Sequence, residues 1–338
     1  MDKLLTITIP VYNTEPYIKR CLDSLLIDDN MDLLDILIIS DGSPDNSAGI
    51  IKEYTSRYPD VFRLIEKENG GHGSVINRGI KEAKGKYFRV LDSDDWFDKK
   101  DFADYIKQLR NLDVSLVMTN TIIEYTYKNE SFKEDYHGLV NYGKIETVDD
   151  YDFNPIEGKD VVSLANATFD TKMLRETGIS LYEKCFYEDL QYSLFFLDKV
   201  SSFVFLDLYV YHYFIGRPEQ SVSAKSALAH YEDRYRITTS LADHLSVLFK
   251  TNCNKNGKEW LVNRYLRHLY IHYKFMLNFN LAESCKKTKQ LNDYLYSQHA
   301  IVLKELESKY TYVKLLYRMG CVMTTLAWSL KRITRTKR

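Results

Sequence analysis

Along the first hundred residues, short continuous apolar runs alternate with stretches whose apolar side chains recur every three or four positions. Residues 4–9 are an apolar, β-branched run stopped by Pro10, which reads as a strand. Thr14 then stands where a helix cap belongs, and Ile18, Cys21, Leu22, Leu25 and Leu26 keep helical spacing behind it. A second strand, residues 36–39, ends at Ser40-Asp41-Gly42-Ser43. A third, residues 62–65, leads into Glu68-Asn-Gly-Gly-His-Gly73. Ile76, Ile80 and Ala83 mark the next helix, and residues 87–91 a fourth strand that ends abruptly in Asp92, Asp94 and Asp95. Near-continuous apolar strands separated by amphipathic helices predict an α/β fold, with a mostly parallel central sheet covered on both faces. Ligands of such sheets lie beyond the carboxyl ends of the strands, where Asn13, Asp41, His72 and Asp92 all fall.

The pattern changes after Leu112. Residues 114–118 read as a core strand, and the alternation of Ile123, Tyr125 and Tyr127 predicts strands or a hairpin extending toward Tyr142. Residues 166–178 read as a strand leading to a capped helix. Leu190, Leu194 and Leu197 show helical spacing. From about Ala224 the chain turns helical: Ile237, Leu241, Leu245 and Leu248 form one apolar face, and Leu261, Tyr265 and Leu269 begin another after a polar break at residues 252–258. The expected organisation is a domain over residues 1–223, with a nucleotide half at 1–112 and an acceptor half at 113–223, followed by a C-terminal α-helical region at 224–338.

A net charge of -1 over 338 residues excludes a global basic field of the kind that binds nucleic acid. Cys21, Cys185, Cys253, Cys285 and Cys321 are scattered and lack a CxxC pair, which argues against a disulfide framework or a cysteine zinc site and fits a reducing cytoplasm. The N-terminal residues lack a signal-peptide pattern. The apolar part of the last helix, which carries Leu315, Met319, Val322, Leu326 and Trp328, is too short to span a bilayer. With the basic residues Lys331, Arg332, Arg335, Lys337 and Arg338 behind it, that helix suits either an anionic membrane surface at the inner face of the plasma membrane, or packing on the helical bundle or a second subunit of a homo-oligomer.

The carboxylates carry the chemistry. In extended chain, Asp92 and Asp94 leave the same face and can share one hard cation, Mn2+ or Mg2+, with phosphate oxygens completing its shell. Three carboxylates this close repel one another unless a cation or hydrogen-bond donors compensate them. His212, between Tyr211 and Tyr213, can either complete a metal shell or pack in a sheet.

Taken together, Ile9-Pro-Val-Tyr-Asn-Thr-Glu15, Ile39-Ser-Asp-Gly-Ser43, the glycine-rich residues 69–73 and Leu91-Asp-Ser-Asp-Asp95 resemble the family-2 inverting glycosyltransferases, which have the Rossmann-like GT-A fold. Tyr187-Glu-Asp-Leu190 and residues 212–223 match later elements of that family less tightly. The resemblance covers roughly residues 4–223 and implies a nucleotide-sugar donor, a UDP-sugar by the pattern at Asp41, with transfer to an acceptor hydroxyl. It assigns Asp41 to the uracil or ribose, and the backbone of Pro10, Val11 and Tyr12 to the base. Asn13, Glu15, Gly71, His72, Asn77, Asp92 and Ser93 complete the implied donor site. Asp92 is either a metal ligand beside Asp94 or a ribose ligand. Asp189 occupies the general-base position, with Glu188 positioning it or binding acceptor. Arg217 and Ser221 lie in a loop that can close over the diphosphate. Where many relatives carry Ala-Arg-Asn, this chain has Val75-Ile76-Asn77. The arginine is therefore missing; Arg78 points elsewhere on the helix, and Lys67 and Arg89 are the candidate replacements.

The expected activity is metal-dependent inverting sugar transfer in capsule, teichoic-acid or other cell-surface glycan synthesis, onto a glycan or lipid-linked glycan. A nucleotidyltransferase is the alternative, disfavoured because the first turn lacks a glycine- and lysine-rich loop. A non-catalytic carbohydrate-binding relative is disfavoured by the intact Asp92, Asp94 and Asp189. A dehydrogenase fails for want of GxGxxG after the first strand.

Overall fold

The computed structural model describes residues 2–125, 130–216, 228–250, 255–320, 322 and 324–329. The chain divides into two units, Met1–Gln220 and Ser221–Arg338.

The first unit opens with β1 (Lys3–Val11), α1 (Glu15–Ser24), β2 (Leu34–Asp41), α2 (Ser47–Arg57), β3 (Phe62–Lys67), α3 (His72–Glu82) and β4 (Gly85–Val90). It continues through β5 (Trp96–Phe97), α4 (Lys99–Leu109), β6 (Leu116–Tyr125), β7 (Glu130–Glu134), β8 (Glu146–Thr147), β9 (Ala167–Asp170), α5 (Thr171–Glu176), α6 (Asp189–Leu194) and β10 (Ser202–Ile215). Among the described residues the strands form one sheet in the order β3-β2-β1-β4-β9-β6-β10-β5, with β7 added to β6 and β8 to β10. The first four strands are parallel, as their apolar runs predict. Beyond β4 the sheet is mixed: β9 runs antiparallel between β4 and β6, while β10 is parallel to β6. β6 and β7 form the expected hairpin, and Tyr127 lies outside the described residues.

Alternation along the strands sends side chains to two cores. Leu5, Ile7 and Ile9 of β1 and Leu34, Ile36 and Ile38 of β2 pack with the apolar faces of α1, α2 and α4. On the opposite face Leu37 and Ile39 of β2 meet Val75 of α3. Asp35, 1% exposed, accepts from Thr6 Oγ1 at 2.7 Å and from both Arg63 Nε at 2.7 Å and Nη2 at 2.9 Å. That bidentate geometry pairs the buried carboxylate with a planar guanidinium.

Thr14 stands at the N-cap of α1, but its hydroxyl is buried and caps nothing; Pro16 takes a first-turn position. The donor at the helix start is satisfied from the next βα turn, where Asp45 Oδ2 accepts the Glu15 N–H at 2.7 Å. By contrast Asp170 does cap α5, accepting from Met173 N at 2.6 Å, so residues 166–178 are the strand and capped helix expected.

The second unit comprises α7 (Tyr231–Lys250), α8 (Lys255–Met276), α9 (Leu281–Gln298), α10 (Ala300–Lys309) and α11 (Thr311–Met319). Ile237, Leu241, Leu245 and Leu248 are buried on one face of α7, and Leu261, Tyr265 and Leu269 on α8, as their spacing predicts. Trp328 donates its indole N–H to the Phe279 carbonyl at 2.7 Å, so its ring is held within this helical unit. Among the described residues no helix is long and apolar enough to cross a membrane.

Candidate functional site

β1 lies between β2 and β4, so the connections after β1 and β3 leave the parallel half of the sheet in opposite directions. The crevice at such a switch point is where this sheet type binds ligands. Pro10 and Val11, both buried, end β1 there; Tyr12 is 53% exposed beyond them. Asn13 takes a left-handed φ of +54° and donates its N–H to Ser43 Oγ at 2.8 Å. Ser43 donates in turn to Asp45 at 2.6 Å, and Glu15 Oε2 accepts from Asn46 N at 3.0 Å. Glu15 therefore laces the first two βα turns together.

Asp41 closes β2 and is 3% exposed. Its Oδ1 accepts from Gly70 N at 2.9 Å and from the Lys67 ammonium, and its Oδ2 from Gly71 N at 2.8 Å. The carboxylate thus shapes the glycine-rich loop and keeps lone-pair capacity on Oδ2 for a further donor. Lys67 is the cation in this corner. Ile76 is fully buried in the apolar core, and Arg78 pairs with Glu82 at 3.0 Å. Arg89 is not a candidate for the nucleotide: it is fully buried in the sheet, donating to Thr119 Oγ1 at 3.1 Å and to the Ala165 carbonyl at 2.7 Å. Its side chain is spent on these partners inside the sheet, away from solvent.

α3 starts at His72, and its first turn receives the segment carrying Glu188 and Asp189. Gly71, at φ +83°, turns the chain into the helix. A Cβ on Gly73 would lie 2.2 Å from the Tyr182 carbonyl oxygen, so only glycine admits that approach. Lys184 N donates to the Gly70 carbonyl at 2.7 Å. Asn77, expected to touch the donor, instead spends its amide on this segment: Nδ2 donates to the Leu181 carbonyl at 2.9 Å and Oδ1 accepts from Leu181 N at 2.8 Å.

His72 lies between two carboxylates. Nδ1 is 2.7 Å from Glu188 Oε1 and Nε2 is 2.9 Å from Asp92 Oδ1. Desolvation opposes a charge on the ring, but Asp92 and Glu188 outweigh it and push the imidazole pKa well above its usual value. Both nitrogens then donate, and a cationic ring joins the two carboxyl-bearing elements. The pairing of residues 72 and 188 had no signal in sequence spacing.

Residues 92–95 form a turn rather than the extended chain expected, closed by Asp95 N donating to the Asp92 carbonyl at 3.0 Å. Asp92 and Asp94 are nevertheless both half-buried and open to solvent, while Ser93 and Asp95 are buried. Asp95 leaves the group altogether. It accepts from Tyr211 OH at 2.6 Å and Phe214 N at 2.7 Å, and burial, with the charges of Asp94 and Asp92, raises its pKa well above the carboxylate range. Ser93, at 3% exposure, faces inward with it.

Among the described residues no three His, Cys, Asp or Glu side chains converge as a metal cage. His212 is a packed sheet residue: its Nδ1 lies 2.8 Å from Glu124 Oε1 and its ring stacks on Trp96 at 4.9 Å. The β5–β10 register, which pairs His212 with Trp96, puts it there. Asp92 and Asp94 remain a donor set that suits magnesium or manganese, ions held by one or two carboxylates with substrate phosphates and water. Arg217 and Ser221 lie outside the described residues.

Asp189 is the first residue of α6, not its cap, and follows two left-handed residues, Lys184 at φ +48° and Tyr187 at φ +69°. Such backbone is costly and persists where surrounding structure imposes it. Asp189 is reached by solvent yet surrounded by protein, the situation of a group in a concave wall. Desolvation, then the Glu188 charge, raises its pKa to about 6. Glu188 itself is 6% exposed and points to His72.

Residues 6–158 match the family model described as Glycosyl transferase family 2. The uncharacterized glycosyltransferase MG025 of Mycoplasma genitalium is 45% identical over 102 residues, 29% of this chain and 34% of that protein. Glycosyltransferase GlyA of Streptococcus pneumoniae is 27% identical over 199 residues, 57% of this chain and 26% of that protein. The chain thus aligns with about a third or less of these relatives' own length. Among solved structures, S. aureus TarS 1-349 in complex with UDP-GlcNAc superposes with a TM-score of 0.72 at 18% identity, covering 98% of this chain and 92% of that one. The mannosyltransferase PcManGT from Pyrobaculum calidifontis, in complex with GDP-Man and Mn2+, gives 0.51 at 15% identity, covering 97% and 86%. At those identities the likeness is one of fold. Residues 6–158 thus match glycosyltransferase family 2, and the sheet has the GT-A fold of its solved neighbours.

Proposed function

We propose that the first unit is a metal-dependent inverting glycosyltransferase that moves a sugar from a UDP-sugar to an acceptor hydroxyl of a cell-surface glycan. The observation that carries this reading is the Asp92–His72–Glu188 bridge, which brings a solvent-facing pair of carboxylates and a raised-pKa aspartate to one crevice. The complexes of TarS with UDP-GlcNAc and of PcManGT with GDP-Man and Mn2+ support a nucleotide sugar and a divalent ion. The UDP-GlcNAc bound in TarS also supports hexosyl or N-acetylhexosaminyl transfer; teichoic-acid-type or capsule synthesis is the setting we favour. A glycan or lipid-linked glycan is the acceptor we favour, met at the cytoplasmic face of the membrane.

In this mechanism Asp94, with Asp92 beside it or on the ribose, holds Mn2+ or Mg2+, which when bound stabilises charge on the departing diphosphate as a Lewis acid. The loop shaped by Asp41, with the turn at Pro10 to Tyr12, receives the nucleoside. Asp189 takes the proton of the acceptor hydroxyl. The acceptor oxygen bonds to the anomeric carbon from the face opposite the diphosphate, whose bond to that carbon breaks with its electron pair. Inversion follows from that single displacement. Glu188 and His72 fix the element that carries Asp189, while Arg217 and Ser221 belong to the segment suited to covering the diphosphate.

The test is binding and slow hydrolysis of UDP-, GDP- and dTDP-sugars with Mn2+, Mg2+ or chelator present. Metal-dependent binding of one UDP-sugar with slow release of UDP is expected, and Asp94→Asn should abolish the metal-dependent part. Failure to bind any nucleotide sugar would overturn the assignment.

A further inference from the structure

The turn that carries Asp92 and Asp94 is held from outside by a stack of three flat groups. The guanidinium of Arg20, on α1, lies 3.7 Å from the centroid of the Trp96 ring and 4.6 Å from that of Phe214. Trp96 stacks in turn on His212, with ring centroids 4.9 Å apart and planes 16° from parallel. Both ends of the stack are tied. Arg20 Nη2 donates to the Asp94 carbonyl at 2.7 Å, and His212 Nδ1 lies 2.8 Å from Glu124 Oε1 on β6. The inner side of the turn is held separately, through Tyr211 OH to Asp95 at 2.6 Å and Asp92 N to Tyr211 OH at 3.2 Å. Arg20 supplies the outer attachment, and it does so at the residue whose side chain faces solvent.

We propose that Arg20 is a positioning residue for Asp94. Its guanidinium, packed against the Trp96 and Phe214 rings, fixes the Asp94 carbonyl and so the direction in which the Asp94 carboxylate meets a divalent ion. This rests on the reading of Asp94 as a metal ligand. A planar guanidinium can lie on a ring and donate at its edge at the same time, whereas an ammonium is a point charge without that geometry. His212, on this account, acts as the far support of the stack.

Two measurements on the full chain decide the question. The first is amide hydrogen exchange over residues 91–97 in metal-free protein. Arg20→Ala should speed exchange in this segment and leave β3 unchanged. The second is Mn2+ affinity with UDP present, read by water proton relaxation. Arg20→Ala should weaken Mn2+ binding about 10–100-fold, the usual effect of losing a group that orients a ligand. Turnover at saturating Mn2+ should stay close to wild type, so that the loss appears in the metal's KM rather than in kcat. Arg20→Lys, which keeps the charge and spares the fold, should fail to restore either readout. Unchanged exchange over 91–97 in Arg20→Ala, or full rescue by Arg20→Lys, would overturn the proposal. If the wild type bound no Mn2+, the metal-dependent reading would fall on its own, and the exchange measurement would still decide whether Arg20 holds the turn.

Discussion

The two halves of the first unit build their parts of the crevice by different means. In the parallel half, Asn13, Asp41 and Asp92 lie at the ends of the neighbouring strands β1, β2 and β4, and each is placed by its own strand. In the mixed half, Glu188 and Asp189 arrive on a segment with two left-handed residues, held down by Asn77 and by the close approach of Tyr182 to Gly73. The carboxylates differ accordingly. Asp41 is surrounded by donors, whereas desolvation by the surrounding protein and the Glu188 charge push the pKa of the solvent-reached Asp189 up to about 6. A carboxylate held by loop donors shapes a site, and one whose pKa is raised can accept a proton.

The strongest break of this comparison is Asp189→Asn. Turnover should fall by about 10²–10⁴-fold, the usual worth of a general base, while UDP-sugar affinity by calorimetry is retained. Near-normal turnover would exclude Asp189 as the base. In the parallel half the corresponding damage should be to folding rather than chemistry. Asp35→Ala leaves Arg63 without its carboxylate and should cost about 3–5 kcal/mol in a denaturant titration, as loss of one partner of a buried pair does.

A pH profile gives the next largest effect. The base acts ionised, so kcat should fall about tenfold per pH unit below a pKa near 6 and level off above it. The stability effect has the opposite sign. Because the folded protein raises this pKa above the unfolded value, the stabilisation is present at acid pH and is lost as pH rises through about 6. Asp189→Asn should therefore melt higher than wild type at pH 7.5, despite being inactive. The smallest effect is expected of Asn77→Ala, which removes two hydrogen bonds to Leu181 at about 0.5–1.5 kcal/mol each. It should lower kcat with little change in donor affinity; a loss of donor affinity alone would place Asn77 on the nucleotide instead.

Particular residues show which readings sequence could support. The runs at β1 to β4 and the faces of α7 and α8 were legible because burial imposes a period of two residues, or of three to four, on neighbours in the chain. Asp41, His72 and Asp92 were legible because a parallel sheet presents the ends of its strands at one edge. Thr14 misled, since its N-cap position is satisfied by Asp45 from the next turn. Arg89 misled because a charged residue near the end of a strand reads as available until its burial is seen.

The alternation of strands and helices, the family match over residues 6–158 and the acidic cluster after β4 were thus all readable from the chain alone. Only the tertiary structure decided which carboxylates face solvent: it turned Asp95 inward to Tyr211, stacked His212 on Trp96, and set His72 between Asp92 and Glu188. Those outcomes depend on contacts between residues 20 to 119 positions apart, where strand register and packing choose the partner and local periodicity carries no information.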